Sequence, residues 1–180
     1  MKLNKYKKVS FLLSGTGTNL VELLKKNLEK KSFEVTSIIS NNIIPINIKF
    51  IVNKFYKNIL VKENQKRLLK KNFNRADIIF SVGYMKVIEK NIIENFDIIN
   101  LHPSILPNYK GLMTQKRMLI NNEKIYGFTI HKVSNVLDEG EIISNKIKKI
   151  NTNDELKLLR EHKSLEHQFV YKQLVNYLLS

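Results

Sequence analysis

The chain has no cysteine among its 180 residues. Disulfides, thiolate metal sites and a thiol nucleophile are excluded together. No apolar run approaches the ~18 residues that a membrane-spanning helix needs, so no membrane partner is expected. The basic N-terminus, Met1–Lys8, is followed by an apolar run of only Val9–Leu13, too short for a signal peptide. A cytoplasmic, reducing location is the expectation. Arginine is scarce, 4 against 27 lysines, although the net charge is +15. Lys, Ile and Asn together supply 72 of the 180 residues, and all three have A/T-rich codons. Compositional drift accounts for such a surplus without a polyanionic partner. The lysines are spread along the chain, and the residue best suited to base edges is the rare one, so nucleic acid is set aside as a partner. A positive field would still attract small anionic substrates.

What is present is a globular composition, 43% apolar, in a length that suits one domain over residues 1–180. Apolar runs at Lys8–Leu13, Val35–Ile39 and Asp77–Val82 read as buried strands, and Phe50–Val52 as a possible third strand in order. Helical spacing of Leu20, Leu23, Leu24 and Leu28 predicts a helix over Asn19–Lys30. Further helices are expected at Val61–Lys71, Glu89–Asn95, Gln115–Asn121 and Asp154–Leu179. Gly127–Val133 and Glu141–Ile150 read as an antiparallel hairpin around Ser134–Gly140. The alternation argues for an α/β fold: a Rossmann-like open sheet, mostly parallel, with an antiparallel C-terminal hairpin and helices on both faces.

Three loops, Ser14–Asn19, Gly83–Ile88 and Asn100–Gly111, follow strand ends, where ligands bind in open α/β sheets. Asn100 and His102 lie two apart at the end of a strand, so an amide and an imidazole point to one face, and Pro103 ends the ladder. Such a pair suits either chemistry at a carbonyl or an ordinary turn cap. Gly15-Thr16-Gly17-Thr18-Asn19 opens a helix directly after a strand, which fits a phosphate at a helix N-terminus or a tight turn capped by Thr18 or Asn19. Asp138, in the hairpin loop, is a solvated carboxylate or the partner of a nearby imidazole. His131 reads as structural, His162 and His167 as solvated or partly packed. No residue spacing suggests a metal site.

The segments Ser14–Leu20, Gly83-Tyr84-Met85, Asn100–Leu112 and Leu137–Gly140 resemble, in order and over nearly the whole chain, the folate-dependent phosphoribosylglycinamide formyltransferases. The resemblance implies 10-formyltetrahydrofolate as co-substrate, no metal, an anionic ribonucleotide substrate, and a monomer or homodimer. It assigns Asn100, His102 and Asp138 to catalysis: two donors for an oxyanion, and a carboxylate that keeps the imidazole charged and moves a proton. Gly17, Thr18 and Asn19, helped by Lys62, would bind the ribonucleotide phosphate. Lys163 and Glu166 would hold its glycinamide end. Met85, Lys86, Val87 and Ile88, with Ser134, Asn135, Val136 and Leu137, would line the folate pocket.

The chain also departs from the family pattern. Between Asn42 and Phe50 it looks too short for a crossover helix, which predicts that this helix is lost or the third strand irregular. Glu139 stands where a second glycine is common, Met113 and Gln115 where histidines are. The chain stops soon after its last helix, so a C-terminal extension is expected to be missing. Methionyl-tRNA formyltransferase shares the Asn-x-His and the Asp, but has an RNA-binding domain and a Trp-Arg-Gly-Ala segment that this sequence lacks. Formyltetrahydrofolate deformylase carries a further N-terminal domain. A basic nucleic-acid-binding α/β module would use the charge and ignore the trio.

Overall fold

The computed structural model describes residues 6–180; the basic start of the chain, 1–5, lies outside the described residues. The elements run β1 Lys8–Leu13, α1 Thr18–Lys30, β2 Glu34–Ser40, α2 Ile46–Phe55, β3 Leu60–Lys62, a short 3-10 turn Lys70–Asn72, β4 Ile78–Ser81, α3 Lys90–Ile93, β5 Asp97–His102, α4 Thr114–Ile120, β6 Ile125–Lys132, β7 Ile142–Lys149 and α5 Glu155–Leu179. They build one seven-stranded sheet in the order β3-β2-β1-β4-β5-β6-β7. The first five strands in that order are parallel; β5–β6 and β6–β7 are antiparallel.

The pleat sends alternate residues to opposite faces. Val9, Phe11 and Leu13 of β1 join Leu20, Leu23 and Leu24 of α1 and Val170 and Leu174 of α5 in the larger core. Leu12, Ile39, Ile79 and Ile98 face the other side, under Leu68, Phe73 and Ile92. α5 starts where Asp154 accepts from the backbone N–H of Leu156 and Lys157, a side-chain cap for otherwise unpaired donors. Among the described residues no helix is long and apolar enough to cross a membrane.

Three expectations fail in the second crossover. Phe50–Val52 is helical, within α2, and the crossover helix is present. The third strand is Leu60–Lys62, so 19 residues separate β2 from β3, enough for a parallel crossover. The expected helix over Val61–Lys71 is not formed; an edge strand, a loop and one 3-10 turn occupy it. Ile44, Ile48, Ile51 and Val52 are all buried, and their spacing is that of one helix face. Pro45 precedes the helix as its N-cap residue, where the lack of an N–H costs little. β-branched residues mask the helical pattern, since they favour strands by propensity.

Candidate active site

The parallel strands end on one edge of the sheet, and the polar loops meet there. A cleft of about 480 Å³ opens between the Tyr84–Lys90 segment and the β6–β7 loop. Asn100, His131 and Asp138 line it. The register places Ser81 opposite Asn100 and Asn100 opposite His131, on three adjacent strands. Asn100 Nδ2 donates to His131 Nε2 at 3.2 Å, because His131 Nδ1–H is committed to the Lys132 carbonyl at 2.8 Å. Burial pushes the His131 pKa down, although the Lys132 carbonyl and Asp138 pull the other way, so the neutral ring that accepts from Asn100 is favoured.

Asp138 joins the two imidazoles. Its Oδ2 lies 3.4 Å from His102 Nδ1, its Oδ1 3.6 Å from His131 Nε2, and its side chain is only 7% exposed. The Gly111 N–H donates to Oδ2 at 2.8 Å. Asp138 has φ +53, a left-handed backbone that Asp tolerates better than most residues. Gly140 lets the hairpin close, since a Cβ there would lie 1.7 Å from the Lys132 carbonyl oxygen. A buried carboxylate with three polar neighbours, beside a free amide N–H of Asn100, can take up and release a proton next to a polarised carbonyl.

A second recess, about 120 Å³, lies beside the first and is lined by Gly15–Asn19, Val82, Gly83, Met85 and Lys163. Its floor is the N-terminus of α1. The first intrahelical bond goes from Val21 N to Gly17 O, so the amides of Thr18, Asn19 and Leu20 have no helical acceptor. Gly17 has φ +64, and a Cβ on it would meet Ile48 Cδ1 at 2.4 Å; α2 therefore presses on this loop. Ser14 ties the two recesses together: its N–H donates to the Gly83 carbonyl at 3.0 Å and its Oγ accepts from Met85 N at 2.7 Å. Behind the recess, Glu166 is buried and bonded by Asn19 Nδ2 at 2.8 Å, Lys163 Nζ and His162. Burial by itself would raise the Glu166 pKa; the His162 hydrogen bond and the Lys163 charge override it and hold it at about 2. Asn19 Oδ1 is buried without a partner.

A sequence model described as formyl transferase matches residues 7–174. The chain belongs to the formyl transferase family. It is 29% identical over 161 residues to phosphoribosylglycinamide formyltransferase of Haemophilus influenzae, across 76% of this chain and 70% of that protein. It is 27% identical over 175 residues to the human trifunctional purine biosynthetic protein adenosine-3, matching 89% of this chain but 17% of the relative. The chain thus spans about a sixth of the length of that relative. Among solved structures, phosphoribosylglycinamide formyltransferase from Anaplasma phagocytophilum superposes with a TM-score of 0.81 at 28% identity, covering 95% of this chain and 86% of that one. The Coxiella burnetii enzyme gives 0.83 at 24% identity, covering 97% and 88%, a likeness of fold.

The structure brings together most, though not all, of the residues singled out from sequence. Asn100, His102 and Asp138 meet. Lys86, Val87, Ile88 and Ser134–Leu137 line the larger cleft. Met85 does not; it lines the glycine-loop recess. Lys163 shares that recess, and Glu166 sits directly behind it. Lys62 does not line it: it lies exposed on the edge strand β3, beyond β2. Neither Thr18 nor Asn19 caps α1; Gly17 is the N-cap residue, without a side-chain bond. His131, read as structural, is in the site; nothing local in the sequence marks it, because it enters through the pairing of its strand with β5. His162 is 1% exposed, not solvated; its Nε2 donates to the Gly127 carbonyl at 2.7 Å. His102 has both nitrogens engaged and does not line the cleft.

Proposed function

We propose that this chain transfers the formyl group of 10-formyltetrahydrofolate to the amine of N1-(5-phospho-D-ribosyl)glycinamide. One observation carries the reading: Asp138, shared by two imidazoles and a backbone amide, lines a folate-sized cleft beside the Asn100 amide. The adjoining recess supplies what the second substrate needs. Free amides of the α1 N-terminus and the Lys163 ammonium suit a phosphate, and the buried Glu166 holds Asn19 and Lys163 at the recess. Lys163 lines this recess and Lys62 does not, so Lys163 takes the part of the phosphate cation.

The amine attacks the formyl carbon, and the carbonyl electrons move to oxygen. Asn100 donates its second Nδ2–H to that oxyanion. Asp138 takes the proton lost by the amine, directly or through water, and returns it to N10 as the carbon–N10 bond breaks. With Nε2–H bound to a carbonyl, His102 contributes its charge when Nδ1 is protonated against Asp138. Most of the remaining acceleration comes from holding two substrates in register. Both recesses lie on one sheet, which supports reading residues 1–180 as one formyltransferase domain.

The test is to mix the protein with both substrates and follow tetrahydrofolate and the formylated ribonucleotide. Equal yields of the two are expected. Formate in place of formylated ribonucleotide would point to a deformylase, and formylation of methionyl-tRNA alone to the other rival.

A further inference from the structure

The orientation of His102 depends on a carbonyl outside the cleft. Nε2 lies 2.9 Å from the Tyr109 main-chain oxygen. A carbonyl only accepts, so this contact places a proton on Nε2 and leaves Nδ1 as the nitrogen that faces Asp138. Were the ring turned over or its tautomer exchanged, Nε2 would no longer serve the Tyr109 carbonyl as donor and Nδ1 would no longer be the nitrogen open to a proton beside Asp138.

No regular secondary structure holds that carbonyl. Tyr109 has φ +54, which a bulky L-residue adopts only at a cost. Its own ring anchors it. The hydroxyl donates to Glu123 Oε1 at 2.6 Å and accepts from Asn121 Nδ2 at 3.0 Å. The Arg117 guanidinium lies 5.3 Å from the ring centroid, and the same group donates to the Lys110 carbonyl at 2.6 Å. From the inner side the Ser104 hydroxyl donates to the Asn108 carbonyl at 2.6 Å, with the Tyr109 carbonyl 3.3 Å away. Arg117, Asn121 and Glu123 lie on α4 and the turn after it, and none of them lines the larger cleft.

We propose that Tyr109, clamped by Glu123, Asn121 and Arg117, is a positioning residue: it fixes the His102 tautomer and thereby keeps Nδ1 beside Asp138 as the nitrogen that takes up a proton during transfer. The proposal rests on the formyl-transfer reading. Tyr109→Phe removes the hydroxyl, Glu123→Ala removes its acceptor, and Glu123→Gln keeps an acceptor oxygen. Tyr109→Phe and Glu123→Ala should each lower kcat about tenfold, with both KM values within about twofold, as a misplaced group does. Glu123→Gln should restore most of the loss. Nitrogen-15 spectra of the His102 ring at alkaline pH read the clamp without turnover. The wild type should show one tautomer, protonated at Nε2, and the two disruptive variants a mixture. An unchanged spectrum in both variants, or unchanged kcat in both, overturns the proposal, as does a raised KM at constant kcat. A changed spectrum with no formyl transfer by the wild type sinks the formyl-transfer reading and not the clamp.

Discussion

Replacing Glu166 by glutamine should weaken the fold in a way that depends on pH. The carboxyl is 2% exposed and bonded by Asn19, Lys163 and His162. Its pKa falls from 4.5 to about 2, and each pH unit is worth about 1.4 kcal/mol. The ionised group therefore stabilises the folded state by about 3 kcal/mol at neutral pH. A depressed carboxylate contributes in full above its unfolded pKa and loses the contribution as pH falls toward the folded one. The interval here runs from 4.5 down to about 2. Glutamine is neutral throughout and still offers Asn19 an acceptor oxygen. The Lys163 side chain is 45% exposed, so its ammonium can turn to water in the variant. The gap in unfolding free energy between wild type and Glu166→Gln should be about 3 kcal/mol at pH 7 and about half of that at pH 3. Urea titrations followed by circular dichroism at both pH values measure it. The same gap at both values, or none at pH 7, would refute the reasoning.

Three further outcomes are expected. Asp138→Asn should retain folate binding by calorimetry within about threefold while turnover falls by about 100 to 10,000-fold, the usual loss when a general acid–base group goes. Gly17→Ala should cost about 1–3 kcal/mol in thermal melts, since its Cβ enters 2.4 Å from Ile48 Cδ1 on a left-handed backbone; a raised ribonucleotide KM should accompany it. Lys163→Ala should raise that KM about tenfold, the effect of losing one charge-assisted contact, whereas Lys62→Ala should leave it unchanged. The reverse order in steady-state kinetics would return the phosphate to Lys62.

Legibility followed the range of the forces involved. Strands β1, β2, β4 and β5 announced themselves by apolar runs, and α1 and α5 by helical spacing. Asn100, His102 and Asp138 stand at positions that a proline, a strand end and a glycine-bounded loop mark locally, but only the resemblance joins them as a trio. α2 was misread because Ile46–Val52 is rich in β-branched residues; the packing of Ile48 and Ile51 against the core overrides that propensity. Lys62 is named by the resemblance; the edge strand β3 carries it, and it does not line the glycine-loop recess.

By itself the sequence determined the α/β class and the three loops at strand ends, because periodicity and turn chemistry are local; the resemblance adds a reaction to the Asn100 and His102 pair. Only the tertiary structure decided which groups share Asp138. His131 enters through antiparallel pairing across 31 residues, and Glu166 meets Asn19 across 147. Charge and hydrogen bonding act over a few ångströms of space, and the fold alone says which distant residues fall within that reach.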